Sequence, residues 1–184
     1  METDAAVLPL SHKINVLAVI DTEYIKHNYS SGDNPLSPTP VESENIFLIG
    51  VNPDFEAGEL NIRARIGDII YLTGTSADHN STDAALIYNV HPRGPKRVFA
   101  SFKQRFMTRQ HAVQPDPDSA SRDGLPALET IARFSDFESR VRAHGAELIH
   151  IDFALYVPSE SGQRQELFGY YRCELNATVE RARP

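Results

Sequence analysis

Six side chains near the start of the chain have the chemistry to hold a small polar ligand. They are Asp21, Thr22, Glu23, Tyr24, Asn28 and Asn34. Carboxylates, hydroxyls and amides form the hydrogen bonds that hold a sugar, and a tyrosine ring can lie beneath it. The same oxygens could bind a cation, although the residue spacing of an EF-hand is absent. Alternatively, Asp21 and Thr22 cap the following loop and stop the preceding strand from sliding.

Two other groups combine histidine with carboxylates. The run from Asp78 to Asp83 contains His79, but its Asp, Asn and Ser residues are typical of turns, so we favour a turn. His150 and Asp152 lie two residues apart, on one face of a predicted strand, where they could bind a metal or exchange protons. A solvated sheet face is the simpler interpretation. Since we expect no catalysis here, we predict that alanine at either position leaves the fold and any binding largely intact.

Motifs of the common catalytic sites are absent from the sequence. It contains no Gly-x-Ser-x-Gly, His-Glu-x-x-His, Walker or dinucleotide-binding pattern. The single cysteine, Cys173, excludes an intrachain disulfide and a multi-cysteine metal site, and its alternation with Leu175 indicates a buried thiol. We therefore predict no enzymatic activity, no catalytic or metal-ligating residues and no cofactor.

Charge is distributed unevenly along the chain. The net charge of −7 over 184 residues disfavours nucleic-acid binding. Residues 84–115 contain no acid and carry +6, which leaves −13 for the remainder. In an extended strand one face would carry Arg97, Lys103, Arg105 and Arg109. Such a stripe could bind anionic glycans or phosphates, contact the acidic surface of a second copy, or guard a sheet edge.

Alternation of apolar and polar residues is the strongest structural pattern and is typical of half-buried β-strands. It is clearest over 147–177, where we predict a β-hairpin. Further strands are predicted at 14–20, 46–51, 60–72 (with a break at 67–68), 84–90, 97–102 and 106–113. Because strands and helices do not alternate, two sheets must bury their faces against each other. We predict an all-β fold, a single antiparallel β-sandwich domain over residues 1–184.

One short surface helix and two long loops complete the prediction. Ser135 to Glu138 has the spacing of a capping box, and Gly145 could end a helix that begins there. Proline-rich loops are predicted at 21–45 and 114–126, and residues 1–12 are predicted to be flexible. Binding residues of rigid sandwiches often lie in such loops.

The beginning of the chain resembles no secretory signal. Residues 1–4 are acidic, and the first apolar stretch, 14–20, is short and ends at Asp21. No run approaches the ~20 apolar residues of a membrane span. We expect a protein without a membrane span that is cytoplasmic, or exported without a cleaved signal peptide.

Seven segments of the chain are similar to segments of one known family: residues 14–26, 28–29, 34–41, 67–70, 84–88, 153–156 and 167–171. The family that they resemble is the PixA/AidA type of inclusion-body proteins. The resemblance spans almost the whole chain, although residues 114–145 match poorly. It implies an immunoglobulin-like β-sandwich of bacterial origin. It also implies cytoplasmic inclusions and quorum-regulated expression in bacteria that live with hosts, but it supplies no catalytic residues.

Two functions stay open at this point. The first is a non-enzymatic module for host association that binds a small polar ligand, with a carbohydrate favoured, through the loop at 21–45. The second is a self-assembling structural or storage protein without a small-molecule ligand, in which the same loop at 21–45 is a subunit contact. Apolar residues on both faces of 14–20 and the segregated charge favour a homo-oligomer in either case.

Overall fold

The computed structural model describes residues 11–50, 58–94 and 98–182 and contains ten strands, one α-helix and one 3₁₀ turn in that part of the chain. The strands are β1 (Lys13–Ile20), β2 (Thr39–Val41), β3 (Ile46–Ile49), β4 (Glu59–Ala64), β5 (Ile69–Ser76), β6 (Ala84–Arg93), β7 (Lys103–Gln114), β8 (Leu128–Arg140), β9 (Gly145–Pro158) and β10 (Gln165–Arg181). Helix α1 spans Thr22–Asn28, and the 3₁₀ turn spans Ser43–Asn45.

Two mixed sheets pack face to face, which confirms the predicted all-β sandwich. The first sheet has the order β3-β1-β5-β8-β7, and the second has the order β2-β10-β9-β6, with β4 also paired to β10. Three pairs are parallel rather than antiparallel: β1 with β5, β10 with β2 and β10 with β4. These pairs arise because the first seven strands alternate between the two sheets. A chain that crosses to the other sheet and returns can lie parallel to its earlier strand.

The core consists of the inward side chains of both sheets. On β9, alternate residues from Ile149 to Leu155 are fully buried, as the alternation predicts. The Phe153 ring stacks on the Tyr171 ring with 5.7 Å between centroids. The predicted hairpin at 147–177 is therefore present as β9 and β10, although both strands extend beyond those limits.

The helix predicted from Ser135 to Gly145 is wrong, because β8 and the start of β9 occupy this segment. Phe137 points into the core, and β8 pairs with both β5 and β7. These cross-strand contacts override the local capping pattern. Gly145, with φ of +137°, begins β9 instead of ending a helix.

Two of the predicted strands differ in the structure. The segment 60–72 is divided between β4 and β5, which lie in different sheets. Residues 98–102 form no strand, and Phe99 makes an isolated bridge with Val141. Residues 1–10, Val51 and Arg97, for which we also made predictions, lie outside the described residues.

Candidate functional site

The structure places five of the six candidate binding residues on α1 or at its start, where the sequence predicts the beginning of a long loop. Asp21 is the N-cap, and its Oδ1 accepts a hydrogen bond from Tyr24 N at 3.0 Å. Such caps satisfy free N–H groups of the first helical turn. Thr22 is buried beneath the helix. The geometry agrees with the capping role for Asp21.

The other candidate side chains also make local contacts. Glu23 lies 2.8 Å from Lys26 Nζ, and this hydrogen bond and charge lower the pKa of the Glu23 carboxyl. Asn28 Nδ2 donates to Tyr24 O at 2.9 Å. Asn34 lies apart from the helix, and its Oδ1 accepts from Leu36 N at 2.9 Å. A ligand site at these residues stays a prediction.

One aromatic ring on α1 is available to a ligand. Tyr24 is 46% exposed, and its ring is tilted 58° to that of Tyr29 at 6.4 Å between centroids. The Tyr29 hydroxyl instead accepts a hydrogen bond from Glu42 N at 3.2 Å and so holds the following loop. Tyr24 is therefore the aromatic side chain of α1 that could lie beneath a sugar.

The polar run at 78–83 is a hydrogen-bonded turn. The Asp78 carboxylate accepts from Thr82 N at 2.8 Å and from Asp83 N at 3.1 Å, and it also accepts from the Ser76 hydroxyl. Buried Asp83 lies 2.6 Å from Lys26 Nζ, which connects the turn to α1. The turn interpretation thus explains these residues.

Asp152 is buried, with only 1% of its surface exposed. The interpretation of this residue as part of a solvated sheet face is therefore wrong. Its two oxygens accept from Arg172 Nε at 2.6 Å and from Arg172 Nη2 at 2.9 Å. Asn89 Nδ2 also donates to it at 2.9 Å. We missed Arg172 and Asn89 in the sequence; both lie directly opposite Asp152 in the strand register.

His150 belongs to a neighbouring group of ionisable side chains on the same sheet face. Its Nε2 lies 2.8 Å from Glu174 Oε2, which also accepts from Arg93 Nη1 at 2.6 Å. These hydrogen bonds lower the pKa of Glu174. The His91 ring packs edge-on against His150, and burial lowers the pKa of His91. Within the described ranges, no three His, Cys, Asp or Glu side chains are arranged to hold a metal ion.

A cleft of about 580 Å³ opens where β8 separates from β5. The two strands pair only from Ile69 to Leu72 on β5 and from Phe137 to Arg140 on β8. Beyond this point the cleft is lined by apolar and polar residues that include Leu17, Val19, Thr75, Leu86, Arg133 and Phe134. None of the six candidate ligand residues lines it.

Beyond the cleft, β7 and β8 continue as a two-stranded ribbon, which we call the arm and define as residues 106–135. Over this range β8 pairs with β7, and neither strand pairs with any other strand of the described structure. The arm exposes apolar side chains on both faces. They are Phe106, Met107, Val113, Leu125, Leu128, Ile131 and Phe134. A two-stranded ribbon is only marginally stable by itself in water. An arm that also exposes large apolar side chains is therefore expected to need a further contact.

The predicted basic stripe lies on β7, the edge strand of the first sheet. Lys103, Arg105 and Arg109 share one face there. Arg105 is paired with Asp136 at 2.9 Å and with Glu138 at 2.7 Å on the neighbouring strand. The centre of the stripe is therefore neutralised within the chain.

Cys173 is fully buried in the core, and burial raises the pKa of its thiol to about 12. The thiolate is the reactive form, so we expect a thiol-specific reagent to leave the native protein unlabelled at neutral pH. Labelling should become complete in denaturant. Rapid labelling of the native protein would contradict the buried position.

Comparisons with known proteins agree with this β-sandwich. A family model described as "PixA: Inclusion body protein" matches residues 12–179, so the chain belongs to the PixA inclusion body protein family. A solved structure, the inclusion body protein PixA from Burkholderia cenocepacia J2315, is 32% identical. The match covers 95% of this chain and 99% of the other, with a TM-score of 0.75. Family membership confirms the resemblance seen in the sequence.

Two further comparisons add no argument about function. The seventh ScaB type I cohesin from Pseudobacteroides cellulosolvens matches with 11% identity and a TM-score of 0.21, over 94% of this chain and 96% of the other. A search of curated proteins found no match. In the described part of the chain, no helix is both long and apolar enough to span a membrane.

Proposed function

We propose that this chain is a non-enzymatic protein that assembles with copies of itself, and that the arm is its main contact. The arm carries the proposal because it exposes large apolar side chains on both faces: Phe106 is 76% exposed and Ile131 is 63% exposed. Exposed apolar patches and open strand edges mark sites of association. The family description as inclusion body protein supports assembly as the function.

Light scattering over a concentration series tests this proposal. The wild type should be oligomeric, and Ile131→Ser or Phe106→Ser should shift it towards the monomer. Leu36→Ser is the matched control, because Leu36 is also an exposed apolar residue but lies outside the arm. A wild-type protein that stays monomeric at every concentration would refute self-assembly.

Carbohydrate binding is a second candidate, and exposed Tyr24 beside exposed Glu23 on α1 favours it. A glycan array with the wild type, Tyr24→Ala and Glu23→Ala tests it. If a sugar binds here, Glu23→Ala should weaken its binding by about 1–3 kcal/mol, the usual effect of removing a hydrogen-bonding partner. Asp21 is a poor probe, because its removal also uncaps the helix. No glycan bound by the folded wild type would eliminate this candidate.

The remaining parts of the functional prediction rest on the sequence and the family. Host association, quorum regulation and a cytoplasmic location stay predictions. The lack of enzymatic activity is also a proposal, supported by the unreactive environment of Cys173 and by the pairing of Asp152 with Arg172.

A further inference from the structure

One edge of β8 in the arm is open to another strand. From Leu128 to Ser135, the strand pairs with β7 on one side, and its other side meets no strand in the described structure. Beyond Phe137 that same side is occupied by β5. An open edge presents unpaired N–H and C=O groups that a further strand can satisfy.

We propose a geometry for the dimer, and this proposal rests on the proposed self-assembly. Two copies pair antiparallel through the β8 edges of their arms, around a two-fold axis at Ile131. The pair forms a continuous four-stranded ribbon in the order β7, β8, and then β8 and β7 of the second copy. An interface of this kind uses the same patch on both copies, as two-fold symmetry requires.

The sequence of β8 is complementary to itself in this register. Glu129 lies opposite Arg133 of the partner subunit, and Leu128 lies opposite Phe134 of the partner subunit. Thr130 faces Ala132 of the partner subunit. Each of these residues occurs twice around the axis, so the pairing includes two ion pairs and two apolar pairs. Opposite charges and apolar side chains placed directly across two strands stabilise a sheet.

Other registers and the other arm edge lack this complementarity. An axis at Arg133 would place two arginines opposite each other, and an axis at Glu129 would do the same with two acids. Pairing through β7 around Met107 would set Arg105 against Arg109 of the partner subunit. Like charges directly opposite each other destabilise a sheet. The axis at Ile131 is therefore the two-fold register of β8 in which opposite charges face each other, whereas β7 contains no acid and offers no such register.

The same register brings residues of the second copy to the cleft. The strand of the second copy continues past Phe134 of the first towards the open edge of β5, where the cleft of about 580 Å³ lies. The apolar residue that arrives there is exposed Leu128 of the partner subunit, which lies opposite the cleft-lining Phe134. Leu17, Val19 and Leu86 line the cleft and offer this leucine an apolar surface. Each arm tip thus docks on the body of the other copy.

Charge-reversal variants test the register, with the dimer dissociation constant measured by sedimentation equilibrium. Glu129→Arg and Arg133→Glu should each raise the dimer dissociation constant by at least about tenfold, since each single change places like charges opposite each other. The double variant restores opposite charges and should return the constant to near its wild-type value. Glu160→Arg, on an exposed turn outside the arm, is the matched control and should have no effect.

A symmetric cross-link gives a second readout that does not depend on charge. Ile131→Cys should form a disulfide-linked dimer under mild oxidation, because a two-fold axis brings this position against its own copy within disulfide range. Val113→Cys, exposed on the other arm strand, should not. If the wild type associates but neither single charge variant weakens it and Ile131→Cys does not cross-link, this geometry is wrong and self-assembly stands. A monomeric wild type would overturn both.

Discussion

Asp152→Ala is expected to lower the free energy of unfolding by about 3–5 kcal/mol, the range for removing one partner of a buried ion pair. The substitution leaves the Arg172 guanidinium and the Asn89 amide without their shared acceptor. Because the Arg172 side chain is still 30% exposed, water compensates part of the loss, and we expect the lower end of the range. Chemical denaturation followed by circular dichroism measures the change in this tryptophan-free chain.

Two variants serve as controls for Asp152→Ala. Glu174→Ala removes a more exposed carboxylate from the same sheet face and should cost less than about 1 kcal/mol. The double variant Asp152→Leu with Arg172→Met replaces the pair by apolar side chains and should recover much of the stability. A loss below about 1 kcal/mol for Asp152→Ala would instead support the solvated-face interpretation.

Glu147→Ala is expected to lower the free energy of unfolding by about 2–4 kcal/mol, because buried N–H groups lose a charged acceptor. Buried Glu147 Oε2 accepts from Val98 N at 2.7 Å and from Phe99 N at 3.1 Å. It thereby attaches residues 98 and 99, which belong to no strand, to the start of β9. Hydrogen exchange at these two amides should accelerate more than exchange in the centre of β9.

The conservative variant Glu147→Gln separates charge from geometry. Its amide oxygen can still accept from both N–H groups, so it should lose less stability than Glu147→Ala. Glu160→Ala, on the exposed turn, is the control without such contacts. Equal exchange rates at Val98 and Phe99 in the wild type and in Glu147→Ala would argue against this attachment.

Alternation was sufficient to predict the strands whose core face is apolar. In β9 and β10, a side chain on the wrong face would expose a large apolar group, so the core residues follow a period of two apart from the register shift between Leu167 and Gly169. The turn at 78–83 was also predictable, because its hydrogen bonds are local. Helix α1 was missed because it is short and lies within a polar segment, although Asp21 is a typical N-cap.

Contacts between distant strands could not be predicted from one sequence. The ion pair of Asp152 with Arg172 depends on the register of β9 and β10, and its third partner, Asn89, comes from β6. The false helix at Ser135 has the same origin. Its capping pattern is local, whereas the pairing of β8 with β5 and β7 depends on residues far along the chain.

The alternation of the first seven strands between the two sheets has a consequence for synthesis on the ribosome. β1 lies between β3 and β5, so it lacks one neighbour until residue 76 has emerged. β2 and β4 both pair with β10, and so neither can be placed until residues 165–181 have emerged. Contacts this distant in sequence form slowly. During translation the nascent chain therefore exposes strands whose partners do not yet exist, and chaperone binding at this stage would favour correct folding.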